Sequence, residues 1–414
     1  MSRRDDPAFN RVMDGIYASF MKRKALVEGR HDRDIRDPRI ILDIARKLSL
    51  LPDPAKVIRI TGSKGKGTTS RMIAHILREA TGADIGLFVS PEEIDHNDRI
   101  RINGVPSTVA DFMAAYAAIE PALEAAEESL EGASYLSPYG IFLLMALHHF
   151  HERGADYLVL ECGRGAEFDE TGNIPSTVSV VTSILMEHPA SLGPTLADVA
   201  RSKLFAGTNA GVLICDEDTR RWNDRLKIVE PEKVAAVPVP AKGGTLPAWL
   251  EMDKALARAA ADAFLGRQTS RDIALDDKSA AFGILRDGAT RCYFDACVSA
   301  SSIDKAFASR LIGETTPVFL ASLPDDKDTD AIRDFFAGEK GTPYYEVALS
   351  GTRGYLHYDN AKAAGRVENE IHYEDAQGLK ALADRLCARH GTDTVYCLGT
   401  QTYIRLVKMA FAGG

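Results

Sequence analysis

The chain has 414 residues, and at about 150 residues per domain this length predicts two or three domains. Hydrophobic residues make up 45% of the chain and charged residues 26%, as in ordinary soluble proteins, which excludes a disordered or fibrous chain. The formal net charge of −9 offers no general attraction to nucleic acid or to anionic lipid, so neither is predicted as a partner.

Three features predict a cytoplasmic protein. The strongest apolar run, Ile141–Leu147, is far too short to span a bilayer, and residues 1–6 are not followed by the apolar stretch of a secretory signal. The six cysteines lie far apart without C-x-x-C spacing, so we predict buried, reduced thiols rather than disulfides or a zinc site. They are Cys162, Cys215, Cys292, Cys297, Cys387 and Cys397.

Short β-branched runs alternate with longer helical periods along the chain, which predicts an α/β fold with a doubly wound, mostly parallel sheet. Asp37 and Pro38 predict the N-cap and first position of an early helix. Turn-rich stretches at 238–244 and 266–272 are candidate domain borders, and we predict two domains, 1–270 and a smaller 271–414. In chain order the predicted strands are 57–60, 85–89, 157–160, 178–184, 212–215, 291–294, 318–321 and 395–398.

The most informative segment is 57–70, where an apolar strand leads through a glycine-rich turn into a helix. Glycines let backbone N–H groups approach phosphate oxygens, and a helix N-terminus adds its dipole, so this context predicts a phosphate-binding loop. Lys66 would neutralise the β- and γ-phosphates and Thr68 would hold Mg²⁺; the alternative is a glycine-rich turn without a ligand. The predicted nucleotide-binding residues of this loop are Gly62, Ser63, Lys64, Gly65, Lys66, Gly67, Thr68 and Thr69.

Polar residues also follow other predicted strands directly or within a few positions, namely Ser90, Glu161, His188 and Asp295. Ligands of open parallel sheets bind at the carboxyl ends of the strands, so we expect these residues to converge on one cleft. The oxygens of Ser90, Glu161 and Thr68 with the His188 imidazole suit Mg²⁺ that keeps water and phosphate oxygens among its ligands. Alternatively, Glu161 caps a turn and His188 packs in the core.

The phosphate loop resembles that of the folylpolyglutamate synthases, a branch of the Mur ligase superfamily, because Gly67 separates the lysine from the first threonine. The resemblance continues in the family's order along much of the chain. It implies a P-loop domain like the Mur ligase central domain and a second, smaller Rossmann-like α/β domain. The other segments that carry it are 86–91 (GLFVSP), 98–104 (DRIRING), 160–165 (LECGRG), 182–193 with Glu187-His188, 200–203 (ARSK), 326–328 (DKD) and 398–403 (LGTQTY).

The resemblance implies an ATP-dependent, ADP-forming ligase. ATP phosphorylates a carboxylate of an acceptor, and the amine of an amino acid then attacks the acyl phosphate to form an amide. The implied cofactors are ATP, two Mg²⁺ ions and a carbamylated lysine at Lys203, a residue that by composition alone would be an ordinary surface lysine. Lys66, His188 and Lys203 are implied as catalytic residues, and Asp295 would accept a hydrogen bond from a ribose hydroxyl. The implied metal ligands are Thr68, Ser90, Glu161, His188 and Lys203.

The acceptor side departs from the family pattern. Glu92 and Glu93 stand where a histidine and an apolar residue are usual, Gly140 where a glutamate is usual, and Glu167 where an arginine is usual. Additional acidic groups would repel an anionic pteridine-glutamate acceptor. The sequence therefore predicts an acceptor other than folate.

The C-terminal part departs further. The family's D-G-A-H-N-P loop appears as residues 295–300, without the histidine and asparagine, and residues 281–283 replace its P-G-R motif. The predicted function is an amide ligase that joins an amino acid, with glutamate as the candidate, to a small-molecule carboxylate. Folylpolyglutamate or dihydrofolate synthase itself is one alternative. The other is a nucleotide-binding regulator or partner subunit that has lost ligation.

Overall fold

The structure is a computed structural model that describes residues 6–240, 246–275, 279, 281–297, 303–325, 330–339, 341–351 and 356–411. The chain divides into two compact units, Met1–Ala241 with Leu250–Lys278, and Lys242–Trp249 with Ser279–Gly414. The division into 1–270 and 271–414 stays a prediction. Two segments of the family resemblance, 298–300 and 326–328, lie outside the described residues.

The first unit contains a mixed sheet of eight strands among its described residues. They are β1 (Val57–Thr61), β2 (Ile85–Phe88), β3 (Ile100–Ile102), β4 (Val105–Pro106), β5 (Tyr157–Glu161), β6 (Ser176–Val181), β7 (Ala210–Asp216) and β8 (Val234–Val237). Across the sheet the order is β4-β3-β2-β5-β1-β6-β7-β8, and the six strands from β2 to β8 are parallel. Every residue of the central strand β1 is buried, as expected of a parallel strand whose two faces are covered.

Helices of this unit carry clear sequence signals at their starts. The side chain of Asp37 accepts a hydrogen bond from Arg39 N, with Pro38 as the first helical residue, and Thr195 forms a capping box with Asp198. The helices are α1 (Pro7–Val27), α2 (Asp32–Ile35), α3 (Pro38–Lys47), α4 (Lys66–Thr81), α5 (Val109–Glu127), α6 (Pro138–Glu152), α7 (Pro189–Leu192), α8 (Leu196–Leu204), α9 (Glu217–Leu226) and α10 (Ala248–Leu265), the last from Leu250 onward.

The second unit has a six-stranded sheet among its described residues. Its strands are β9 (Phe282–Asp287), β10 (Thr290–Asp295), β11 (Val318–Ser322), β12 (Tyr344–Ser350), β13 (Val367–His372) and β14 (Thr394–Gly399). The order is β13-β12-β11-β14-β10-β9, and all neighbours are parallel except the β9–β10 pair. Its helices are α11 (Lys305–Thr315), α12 (Asp330–Gly338), α13 (Asp359–Ala363), α14 (Ala376–His390) and α15 (Gln401–Phe411).

The predicted fold class is confirmed, because both units are α/β and both sheets are dominated by parallel pairs. All eight predicted strands are present within a few residues of their predicted bounds. The missed strands lie at or near sheet edges, and β13 shows why, since its sequence VENEIH is largely polar and buries only Ile371. In the part of the chain that the structure describes, no helix has the length and apolar character needed to cross a membrane.

Candidate active site

The phosphate loop follows β1 and ends where α4 begins. Gly62 and Gly65 have φ values of +143° and +91°, which L side chains rarely adopt, and a Cβ on Gly62 would lie 1.9 Å from Thr182 Oγ1. Gly65 is the N-cap of α4 and supplies no side-chain cap. The first N–H groups of α4 therefore lack a side-chain acceptor from their own cap and, with the helix dipole, suit an anionic ligand.

Residues that follow β6 hold the loop in place. Ser63 Oγ donates to Leu185 O over 3.1 Å and accepts from Leu185 N over 2.9 Å. Lys64 N donates to Ser183 Oγ over 3.0 Å, while Thr182 Oγ1 donates to Lys64 O over 2.6 Å. The Ser63 hydroxyl, predicted to bind nucleotide, is thus engaged within the protein, and these bonds fix the backbone of the loop.

Lys66 lies at the electrostatic centre of the predicted site. Its Nζ donates to Gly62 O over 3.0 Å, so the ammonium folds back over the loop. Its charge contributes to the pKa shifts of Glu161, Glu187 and Lys203. The cation therefore influences two separate acidic side chains as well as the predicted carbamate lysine.

A first group of predicted metal ligands surrounds Glu161. Glu161 is 2% exposed, and its Oε2 accepts from Ser90 N over 3.0 Å. A Cβ on Gly67, the residue before Thr68, would lie 3.4 Å from the same oxygen. Burial raises the pKa of Glu161 to about 7, although Lys66 opposes the shift. A cation beside this carboxylate would stabilise its ionised form.

A second group is formed by Glu187, His188 and Lys203. Lys203 is fully buried, and its Nζ lies 2.5 Å from Glu187 Oε1. Burial lowers the pKa of Lys203 to about 8, although Glu187 favours the ammonium form. His188 has a φ of +47°, starts α7 and places Nε2 4.0 Å from Glu187 Oε2. Burial lowers its pKa below the usual value.

The residues fit Mg²⁺ when water and phosphate supply its other ligands. Within the described ranges, no group of three or more His, Cys, Asp or Glu side chains is arranged to hold a metal. Mg²⁺ commonly uses one or two carboxylates plus substrate phosphates, and Glu161 beside the phosphate loop meets that requirement. Lys203 as an ammonium would repel a cation, so only its carbamate could serve as the predicted ligand.

The buried Arg59 in β1 connects elements on both sides of the predicted site. It is fully buried, and its guanidinium donates to Ser179 Oγ over 2.9 Å, to Ala206 O over 2.6 Å and to Asn209 Oδ1 over 2.6 Å. Burial among neutral acceptors lowers its pKa to about 10. Because Ala206 lies two residues beyond Leu204, the last residue of α8, these bonds help to fix the end of the helix that carries Lys203.

Asp295, the predicted ribose ligand, ends β10 in the second unit. It is 1% exposed, and its Oδ2 accepts from Tyr396 OH over 3.0 Å. The carboxylate thus already has a partner within its own unit.

The sequence predicts that Glu92 and Glu93 repel an anionic acceptor, but this expectation is wrong, because the negative charge of both residues is compensated. Arg99 Nε donates to Glu92 Oε2 over 2.8 Å, and His96 Nδ1 lies 3.2 Å from Glu92 Oε1. Glu93 Oε2 lies 3.1 Å from Arg71 and 3.4 Å from Arg101.

Each of these glutamates is therefore neutralised by cations of its own neighbourhood. Burial opposes ionisation of Glu92, but its partners His96 and Arg99 hold its pKa well below the ordinary range. The Arg71–Glu93 pair could not be predicted from the sequence, because Arg71 belongs to α4 and Glu93 to the segment after β2.

Glu170 occupies space beside Gly140 that sequence analysis left empty. A Cβ on Gly140 would lie 2.9 Å from Glu170 Oε1, and Arg36 Nη2 lies 2.6 Å from Glu170 Oε2. Ser137 Oγ also donates to Glu170. A carboxylate is thus present next to α6, although it comes from the loop after β5. Nearby lies a cavity of about 320 Å³ whose lining includes Tyr17, Phe20, Arg36, Tyr135, Tyr139 and Asp169.

Known proteins resemble part of this chain in sequence. Residues 60–255 match the Mur ligase middle domain. A probable bifunctional folylpolyglutamate synthase/dihydropteroate synthase of Haloferax volcanii is 37% identical over 163 residues, which cover 39% of this chain and 19% of that protein. The folylpolyglutamate synthase of Lacticaseibacillus casei is 32% identical over 167 residues, which cover 40% of this chain and 39% of that protein.

The fold likeness extends further than these alignments. The folylpolyglutamate synthase of Mycobacterium tuberculosis, in a structure complexed with ADP and AMPPCP, superposes with a TM-score of 0.75 at 21% identity, covering 96% of this chain and 99% of that one. Residues 60–255 thus match a Mur ligase domain, in agreement with the resemblance seen in the sequence. The two relatives that align with about two fifths of the chain are folylpolyglutamate synthases or bifunctional proteins that include this activity in their name. The aligned segment spans well under half the length of these two curated relatives.

Proposed function

We propose that this protein is an ATP- and Mg²⁺-dependent ligase that activates a carboxylate as an acyl phosphate and joins it to an amino acid. The observation that carries the proposal is the phosphate loop between β1 and α4, with Lys66 folded over it and Glu161 beside Gly67. The match of residues 60–255 to the Mur ligase middle domain supports the same reaction class. A small-molecule carboxylate, an amino acid and ATP are the proposed partners, and the cytoplasm is the proposed location.

In this proposal the chain's own residues position and neutralise the phosphates. The N–H groups at the start of α4 bind phosphate oxygens, and Lys66 places its ammonium where charge develops on the transferred group. Thr68, Ser90 and Glu161 would hold one Mg²⁺, and His188 with Lys203 a second. When bound, the metal ions supply additional positive charge at the phosphate oxygens. Glu161 must be ionised to serve, and the positive charge of Lys66 favours that form.

The proposed carbamate on Lys203 is compatible with its environment. Carbamylation forms a bond between Nζ and the carbon of CO₂, and it requires the neutral amine, whose departing proton goes to solvent. With a pKa of about 8, about a tenth of Lys203 is neutral at pH 7, far more than of an ordinary lysine. The resulting anion would have to part from Glu187, so the present ion pair corresponds to the unmodified state.

For the acceptor we propose a folate-type molecule, either dihydropteroate or a folate that receives glutamate. The names of the relatives favour this choice over the non-folate acceptor expected from the sequence. The pairing of Glu92 and Glu93 with arginines and a histidine removes the electrostatic objection. The aromatic lining of the 320 Å³ cavity suits a flat ring system.

An ADP-release assay tests the proposal. Purified protein with Mg²⁺ and ATP should release ADP only when both an acceptor and glutamate are present, with dihydropteroate and tetrahydrofolate tried first. Turnover with another carboxylate, and none with dihydropteroate or tetrahydrofolate, would show that the acceptor is not a folate, as the sequence predicts. Nucleotide binding without turnover on any acceptor would instead favour the regulator that has lost ligation.

A further inference from the structure

A buried acid lies against the phosphate loop from a distant part of the sequence. Asp253 on α10 is 2% exposed, and a Cβ on Gly65 would lie 2.2 and 2.3 Å from its two carboxylate oxygens. The carboxyl group therefore fills the space that a side chain at Gly65 would take. Because Gly65 is the N-cap of α4, Asp253 directly contacts the turn on which the predicted nucleotide site depends.

The Asp253 carboxyl group also lies close to Thr69, whose hydroxyl acts to lower the pKa of the acid. Among the described residues, Asp253 Oδ2 and Thr69 Oγ1 are buried and make no hydrogen bond of good geometry. A small rotation would pair them, since the Thr69 hydroxyl can donate to the carboxyl oxygen. An unsatisfied buried polar group costs about 1–3 kcal/mol, so this pairing would help to hold Thr69 in place.

Burial and the neighbouring groups act in opposite directions on the ionisation of Asp253. Burial raises the pKa of Asp253 well above its ordinary value, while Lys64 and the Thr69 hydroxyl act against the shift without reversing it. Lys64, on the loop itself, is the charged group that acts on this carboxyl. A neutral acid adds no negative charge next to a loop that binds polyphosphate, whereas an ionised one would oppose the ligand.

We propose that Asp253 is a positioning residue of the phosphate loop, which supports Gly65 and Thr69 from the protein interior and thereby sets the affinity of the loop for nucleotide. Asp253 touches no substrate in this proposal and acts through the loop. The proposal rests on the nucleotide-binding part of the proposed function, and it needs no knowledge of the acceptor.

The test is the dissociation constant of a fluorescent ADP analogue, measured at constant excess Mg²⁺ and neutral pH. Asp253→Ala should weaken binding at least tenfold, because it removes the support of the loop. Asp253→Asn keeps the shape of the side chain and an oxygen that can accept from Thr69, so it should bind within threefold of wild type.

Glu251→Gln is the matched control, since Glu251 lies on the same helix and pairs with Lys254 over 3.5 Å at the surface. It should bind like wild type. Circular dichroism confirms that each variant is folded before its affinity is compared.

The proposal is overturned if Asp253→Ala binds within threefold of wild type, or if Asp253→Asn binds as weakly as Asp253→Ala. A wild-type protein that binds no nucleotide would overturn this proposal together with the proposed function. Nucleotide binding that follows the expected pattern, without ligation of any acceptor, would reject the ligase function alone.

Discussion

The phosphate loop and the 320 Å³ cavity near Glu170, which we call the acceptor-side cavity, belong to the same unit, but their residues come together in different ways. The loop is one continuous segment whose glycines and helix start determine its backbone locally. The cavity is lined by residues of α1, of α6 and of the loop after β5. Arg36, which also lines it, pairs with the buried Glu170, 134 positions away. Consecutive residues determine the conformation of the loop, whereas the residues of the ion pair meet only in the folded chain.

The largest expected effect tests the local side of this comparison. Lys66→Ala should lower ATP turnover at least about 100-fold, since a lost contact to developing charge typically costs ~3 kcal/mol. Thr68→Ala should weaken turnover in a way that added Mg²⁺ partly offsets. Lys56→Ala is the control, because Lys56 is an exposed cation just before β1. Wild-type rates in Lys66→Ala would remove the loop from the catalytic site.

The second prediction concerns Lys203, a residue that resemblance singled out and whose partner Glu187 only the fold shows. Lys203→Ala should lower turnover about 10- to 100-fold, the range for lost support of a metal site, and added formate or acetate should restore part of it. Since the neutral amine reacts with CO₂, wild-type activity at constant dissolved CO₂ should rise as pH increases through about 8.

Two outcomes would contradict the carbamate. One is a Lys203→Ala variant whose activity formate and acetate do not restore. Lys66→Ala serves as the control, because these acids should not restore its activity. The other is wild-type activity that is insensitive to removal of dissolved CO₂. Either result would leave Lys203 as the ammonium partner of Glu187.

The sequence predicts the α/β class, the eight core strands and the loop because each depends on neighbours in the chain. The starts of two helices are likewise predicted by neighbouring residues, α3 by Asp37 and Pro38 and α8 by Thr195 and Asp198. The contact of Asp253 with Gly65 is different, since nothing near either residue predicts it. Its only signal is an acid in the apolar period of α10.

The partners of Glu93 also escaped sequence reasoning. They are Arg71 on α4 and Arg101 on β3, so the three residues meet only after the sheet has formed. Sequence departures on the acceptor side were therefore visible as changes of residue type, but their electrostatic consequence was not. The expected repulsion between Glu93 and an anionic acceptor is offset because Glu93 forms ion pairs with arginines of other elements.

A third prediction sharpens the long-range side of the comparison. The Arg36–Glu170 pair is buried, with side chains 7% and 3% exposed, so Glu170→Gln should lower the free energy of unfolding by about 2 kcal/mol. Asp43→Asn is the control, because its pair with Arg46 is exposed and should contribute less than about 1 kcal/mol. Denaturant unfolding measures both, and equal losses would show that burial does not strengthen the Arg36 pair.

The smallest expected effect concerns Glu92 and Glu93. If both acids repelled an anionic acceptor, Glu93→Gln would raise the specificity constant for tetrahydrofolate by orders of magnitude, since a unit charge at roughly 4 Å is worth about 4 kcal/mol at an effective dielectric of 20. In the structure Glu93 is held between Arg71 and Arg101, and Glu92 between His96 and Arg99.

We therefore expect Glu92→Gln and Glu93→Gln each to change that constant by less than about threefold, the scale of partly exposed ion pairs. Steady-state kinetics with tetrahydrofolate and glutamate measure the change, and binding of tetrahydrofolate by calorimetry provides a second readout that needs no turnover. A rise of 30-fold or more in either variant would mean that the arginines fail to screen the acids. The acceptor specificity would then follow from the types of the residues at positions 92 and 93. Long-range pairing would matter less on the acceptor side than the structure indicates.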